Sequence, residues 1–447
     1  MRARLTNPLP NKATTSMLAP PTIHKHSSVA PAHAASPLSR RRIARGRGRG
    51  GLSTAIFSRK QLEEAIAECL RAPAPPAPLV VCGGVMKAHE DCVKDMTLVR
   101  GSPDGAATLF TGSYDGSWKA WDLRTGAGEE PLPMGGRVHC MIHEGNFLFV
   151  GFERTIEDFP GVPIGMIRAW NLTDPSQAPI KFEVGGAAGQ RYAHKTAVTA
   201  LATADIGGQP VIFSGDNDGD INVWTYDGSR RRVVLSNQLK GHVRGVRVLK
   251  FLPSTPLLVS ASDDSTMIIW DLRTQAPIQR ITSSSRGHTG KVTELVLCVL
   301  RGERFVISGG TDRFIKVWRV SMDGSTTPFT NIFEVQHANE ISCIGTVQDA
   351  AGNSLVVVGD LYGGISMLKY PEFVLVNTIL PTDGHAPGAV RCIIEGITPN
   401  EFFSSGQNGV VKVWRVSGRL PSAAATAPAA SAPRFRTHTA VASWSAA

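Results

Sequence analysis

What the chain lacks narrows it first. Its seven cysteines (69, 82, 92, 140, 298, 343 and 392) are scattered, odd in number and without a C-x-x-C pair. That excludes a disulfide scaffold and a thiolate zinc site. No apolar run approaches the ~18 residues a membrane-spanning helix needs, and Met1 to Ala30 lack the continuous apolar core of a secretory signal. These absences leave a large protein without a spanning helix, from a reducing compartment. No residue pattern asks for a cofactor, a metal or a small-molecule substrate.

Acid is also missing from one end. Residues 1 to 62 hold 12 Lys/Arg and no Asp/Glu, Glu63 being the first acid, so the net charge of +10 is not spread over the chain. The remainder carries 35 basic and 37 acidic residues. The tail is poor in aromatics and rich in Ser, Thr, Pro and Ala, and it ends in an Arg/Gly run from Arg40 to Gly51. It cannot bury enough apolar area to offset chain entropy, so residues 1–57 read as disordered. Arg45, Arg47 and Arg49 are the candidate RNA contacts, since guanidinium groups neutralise phosphates and stack on unpaired bases. A solvated tail, a nuclear-localisation patch and an organelle transit peptide are the competing readings. They place the protein in cytoplasm or nucleus, or in an organelle if the tail is an address.

Residues 58–72 open on Ser58-Arg59-Lys60-Gln61, the form of a capping box, and put Leu62, Ile66 and Leu70 on one stripe. They are expected to form a short amphipathic helix. Residues 73–78 are a stiff proline-rich linker. The folded body is 79–417, and 418–447 is a low-complexity tail.

The body repeats. Short strand-like segments end in Trp121, Trp170, Trp224, Trp270, Trp318 and Trp414, at intervals of 49, 54, 46, 48 and 96 residues. The last interval is two units, so a seventh unit without its Trp lies at Gly363 to Leu368. Histidines share the register, with an Asp six residues before the Trp and a Ser or Thr ten before it. Four units carry the full set: His89/Thr111/Asp115/Trp121, His194/Ser214/Asp218/Trp224, His242/Ser260/Asp264/Trp270 and His288/Ser308/Asp312/Trp318. A fifth, His385/Ser404/Asn408/Trp414, puts Asn in place of Asp.

Gly-His at 241–242 and 287–288 with Trp-Asp at 121–122 and 270–271, in units of about 48 residues, resembles the WD-repeat family. The resemblance implies an all-β fold, a seven-bladed β-propeller of four-stranded blades, and a non-catalytic role in binding proteins. A blade leaves two apolar faces that only stacking around a ring can bury. After Trp414 too few residues remain for an outer strand, so Leu79 to Lys87 is expected to supply it and close the ring. The His, Ser/Thr and Asp look like a nucleophilic triad, but a reaction centre occurs once, in a cleft. A set recurring at the repeat period is a structural hydrogen-bond chain, and no enzyme is expected.

Two stretches, Gly135 to Gly151 and Val390 to Trp414, resemble the plant CCCH-zinc-finger WD-repeat proteins. Cys69, Cys82 and Cys92 do not have the finger's spacing, so RNA binding is not carried over with it. Cys140, Cys343 and Cys392 share one slot of three first strands and read as small core residues.

Function in such a fold lies in loops. Arg137, Lys195, Arg244, Lys291 and Arg313 are candidate partner contacts in the loops of one face, and Phe159 belongs to an insertion, Glu153 to Gly165, in the second unit. An alternative uses the W-D-x-R boxes, Asp122 with Arg124 and Asp271 with Arg273. They resemble the motif by which some WD-repeat proteins dock on the adaptor of cullin-RING ubiquitin ligases, which would make this chain a substrate receptor.

Overall fold

The computed structural model describes residues 80–417, apart from 102–106, 157, 158, 183, 185–191, 228–231, 301, 322 and 323. The expected tails, helix and linker, with Arg45, Arg47 and Arg49, lie outside the described residues.

Alternating strands and tight turns build seven antiparallel sheets. Blades are numbered here from Val93 in chain order, and the strands of each run from the central channel outward. Blade four shows the plan: Val246–Phe251, Leu257–Ser262, Met267–Asp271 and Ala276–Ile281 pair in sequence order. Its two middle strands are buried along their whole length, as strands covered on both faces must be.

Blade six is the unit without a Trp. Leu368 pairs with Val356 there as Trp224 pairs with Ile212 in blade three, and Leu368 is fully buried. Blade seven takes its outer strand from the other end of the chain. Val80–Lys87 lies antiparallel to Val410–Val416, with Cys82 opposite Trp414. The ring is therefore clasped by two segments far apart in sequence, and the third strand of blade seven is not left as an edge, whereas among the described residues the only strand covering that of blade two is the short Ile180–Lys181.

The core is distributed over the seams between blades. Each of seven buried clusters draws on two neighbours, for instance Phe213, Ile221 and Val223 of blade three with Leu258, Ile268 and Trp270 of blade four. The seam between blades seven and one is the thinnest, with Ala88, Val93, Met96, Leu109, Phe403 and Val411. Among the described residues no helix is long and apolar enough to cross a membrane.

Blade two departs from the plan in its middle hairpin. Phe147–Ile156 and Phe159–Asn171 are 10 and 13 residues long, and their ladder continues through Glu153↔Gly165, Arg154↔Ile164 and Thr155↔Pro163 to Ile156↔Phe159. The insertion expected to lengthen a turn is instead a two-stranded arm, because the residues of the insertion continue the strand pairing. Gly136 seats the base of this arm: a Cβ there would lie 1.7 Å from the Glu153 carbonyl oxygen.

Candidate functional site

The repeated polar residues meet at the same place in each of the five blades that carry them, where the loop entering the first strand touches the turn between the second and third. In blade four the His242 ring bonds Asp264 Oδ2 through Nδ1 at 2.9 Å and Ser260 Oγ through Nε2 at 2.7 Å, and Trp270 Nε1–H donates to Ser260 Oγ at 2.9 Å. A carboxylate only accepts, so Nδ1 carries the proton, Nε2 accepts from the serine, and the serine accepts from the tryptophan. Blade five repeats this with His288–Asp312 at 3.0 Å, His288–Ser308 at 2.7 Å and Trp318–Ser308 at 2.9 Å. Blade one does so with His89–Asp115 and His89–Thr111, both 2.8 Å, and Trp121–Thr111 at 3.1 Å.

The electrostatics follow the partners. Burial pushes the Asp264 carboxyl up, but hydrogen bonds from His242 and Thr266 outweigh it and hold the group far below the usual carboxylate range. Asp115 and Asp312 are held down in the same way. In blade seven His385 has Asn408 at 3.3 Å in place of an anion. Burial then dominates and lowers the imidazole to about 4, so His385 is neutral.

Blade three corrects the assignment of Asp218. The acceptor for His194 Nδ1 is Asp216 Oδ2 at 3.0 Å, while Ser214 and Trp224 stand as in the other blades. The turn Asp216-Asn217-Asp218-Gly219-Asp220 folds over Asp216, whose Oδ1 accepts the backbone N–H groups of 218, 219 and 220 at 3.0, 2.9 and 2.9 Å. Asp216 is buried and Asp218 is exposed. Blade six uses the same device, with Asp360 Oδ1 accepting from the N–H groups of Tyr362 and Gly364. The readable signal is an Asp two residues after the serine slot, where the other blades hold Ser113, Ser262 or Gly310. Blade two has no such chain: buried Met134, Val150 and Phe152 fill the space with hydrocarbon.

The order Ser–His–Asp is that of a nucleophilic triad, but its chemistry is closed. Ser214, Ser260, Ser308 and Ser404 are fully buried, and each oxygen already takes a tryptophan N–H. A nucleophile needs an open approach and an oxyanion site.

What lies open is the face that carries these turns. Arg137, Lys195, Arg244, Lys291 and Arg313 are all exposed there, as are the apolar Val243 (78 %) and Tyr362 (60 %). Arg137 is 3.6 Å from Glu153 and lies over the Tyr114 ring, and Lys291 is 3.3 Å from Asp263. Phe159 opens the third strand of blade two, in the arm. The W-D-x-R boxes lie at the far ends of their strands. Arg273 makes a fork to Asp271 (3.0 and 2.7 Å), and Arg124 is 3.7 Å from Asp122.

A feature that residue patterns did not reveal sits at the mouth of the channel. Every first strand has a bulge at one position, between Val93 and Asp95 in blade one and at the equivalent pair in the other six. A bulge re-aims one side chain, and all seven extra residues line a cavity of about 590 Å³. In blades three, five and six they are Thr199, Thr293 and Ser342, which donate to the carbonyls of Val246, Ile341 and Val390 in the next blade. In blades one, two, four and seven they are Lys94, His139, Arg247 and Arg391. The shared slot of Cys140, Cys343 and Cys392 is the next position inward. Cys140 and Cys343 are buried, and Cys392 is half-buried beside Asp95.

A closed ring of repeated blades, with its polar chains committed to structure and its loops free, defines a propeller that presents surfaces to partners. The chain carries WD repeats and is similar to the WD-repeat family. The family model "WD domain, G-beta repeat" matches residues 80–122, 233–271 and 279–319. Each match runs from the outer strand of one blade to the third strand of the next, so the sequence unit straddles a seam. Similar proteins include zinc finger CCCH domain-containing protein 17 of Oryza sativa subsp. japonica, 30 % identical over 46 % of this chain and 39 % of that protein. Zinc finger CCCH domain-containing protein 63 of Arabidopsis thaliana is 28 % identical over 32 % of this chain and 25 % of its own length. Human striatin-3 is 27 % identical over 59 % and 30 %. The chain spans well under half the length of these relatives. The fold and the likeness support a protein-interaction scaffold.

Proposed function

We propose that this scaffold is non-catalytic and gathers protein partners on the face bearing the exposed turns, within an RNA-associated complex that the basic N-terminal segment contacts. The observation that carries the reading is the charge division. All of the basic excess lies in residues 1 to 62, while the rest is nearly neutral. Such a chain meets phosphate with its arm and leaves the propeller for proteins, in cytoplasm or nucleus. The buried, saturated serines support the absence of catalysis.

The test is purification of the tagged full-length chain from its own cells, with and without RNase, beside a variant with Arg40 to Arg49 changed to Gln. The reading expects partners lost on RNase treatment and lost from the variant. Recovery that ignores both refutes it. A cullin adaptor recovered in an Arg273-dependent manner would establish the ligase receptor instead. The fork to Asp271 disfavours that outcome, because it leaves Arg273 already paired within its own box.

A further inference from the structure

The seven bulge residues at the channel mouth are not equivalent. The three hydroxyls are saturated by the next blade. Arg247 is held by Asp263, with Nε at 2.9 Å and Nη2 at 2.5 Å, and His139 lies 3.4 Å from Glu153. Lys94 and Arg391 remain. Among the described residues neither has a carboxylate within 4 Å of its charged nitrogens, and Arg391 Nε is buried without a hydrogen-bond partner. Its Nη2 donates to the neutral Gln407 Oε1 at 3.2 Å, and the guanidinium also bonds the Cys92 thiol.

These two cations are neighbours, because blade seven adjoins blade one. Both act on the Cys92 thiol, which burial pushes up and the two charges pull back. Burial raises the nearby Asp95 and Glu294 carboxyls, and the Lys94 charge pulls both back down without forming an ion pair with either. Asp95 accepts from the N–H groups of Met141 and Met96, both at 2.8 Å, and from the Cys392 thiol at 3.3 Å. Two cations without an ion pair within 4 Å, one a planar fork suited to carboxylate or phosphate, thus line a cavity that Asp95 and Glu294 also line.

We propose that Lys94 and Arg391 form an anion site that receives an acidic or phosphorylated side chain of a partner polypeptide inserted into the channel mouth. The proposal rests on the protein-binding reading above. A polypeptide fits better than RNA because the cations converge on one mouth and do not track along a groove, and because Val243 and Tyr362 are exposed on the same face.

The experiment is fluorescence anisotropy of the full-length chain with three labelled peptides of one sequence carrying phosphoserine, glutamate or glutamine at the centre. Unlabelled inorganic phosphate and oligouridine serve as competitors. The acidic peptides should bind and the glutamine peptide should not. Lys94→Gln and Arg391→Gln should each weaken binding roughly tenfold, the scale of one charge-assisted hydrogen bond, and Arg273→Gln should leave it unchanged. Equal binding by wild type and the Lys94→Gln variant overturns the site, as do no binding of either acidic peptide and stronger competition by oligouridine or by phosphate than by unlabelled peptide. Should Arg391→Gln lower the melting temperature sharply, Lys94→Gln carries the test, since no hydrogen bond involves its side chain among the described residues. Partners retained from cells by the Lys94→Gln/Arg391→Gln chain refute the site and spare the scaffold, whereas a wild-type chain that recovers no protein refutes the scaffold itself.

Discussion

Replacing Asp216 by Ala should damage the ring, and replacing Asp218, two residues away, should not. Asp216 is buried and accepts four hydrogen bonds, one from His194 and three from the turn backbone. Its loss leaves the His194 Nδ1–H without an acceptor and the buried Gly219 N–H with only the long 3.4 Å bond to the residue 216 carbonyl, while the two more exposed N–H groups can turn to water. Each stranded buried donor costs about 1–3 kcal/mol, so about 3 kcal/mol is expected for the pair. In a body of this size that lowers the melting temperature by roughly 5–10 °C. Asp218 accepts no hydrogen bond from His194, and an exposed substitution away from such features falls within about 0.5 kcal/mol. Differential scanning fluorimetry of Asp216→Ala and Asp218→Ala at neutral pH compares them directly. Equal shifts, or a larger one for Asp218→Ala, would refute the assignment of Asp216 and the structural role given to these chains.

Acid should weaken blade seven through His385. His385 titrates near 6.5 when unfolded and at about 4 when folded, so the unfolded chain takes up the proton earlier as pH falls. Stability is then complete above pH 6.5 and is lost between 6.5 and 4, by at most about 3 kcal/mol. Asn408→Asp supplies the anion the other blades have, and its melting temperature should exceed wild type by more at pH 5 than at pH 8. A gain that is the same at both would contradict this. Gly136→Ala drives a methyl group into the Glu153 carbonyl. It should cost about 1–3 kcal/mol and raise hydrogen exchange in the arm of blade two, and unchanged exchange there would show that the arm does not rest on Gly136.

The tryptophan interval made the fold readable, because a buried indole at the end of each third strand is worth about 3–5 kcal/mol and its spacing is that of the blade. Leu368 shows why an interval reads further than a residue type: the slot stays apolar and buried when the Trp is gone. The closing strand was readable from the shortage of chain after Trp414. Asp216 was missed because its turn holds three aspartates and the repeat spacing pointed to Asp218, although an Asp two residues after the serine slot marks it. The turn itself is constant: Gly116, Gly219, Ser265, Arg313, Gly363 and Gly409 all have positive φ five residues after the serine slot. The cationic mouth was hidden for a different reason. Lys94, His139, Arg247 and Arg391 are spread over almost 300 residues of sequence, and only a shared bulge collects them.

The central claim is that partners occupy the face of the exposed turns and the channel mouth. Lysine-directed cross-linking of the complex purified from cells, read by mass spectrometry, tests it most directly. Cross-links to partners should form at Lys195 and Lys291 in the exposed turns and at Lys94 in the mouth, and be sparse at Lys181 and Lys369, which lie away from that face. Partner cross-links confined to Lys181 and Lys369 would contradict the account.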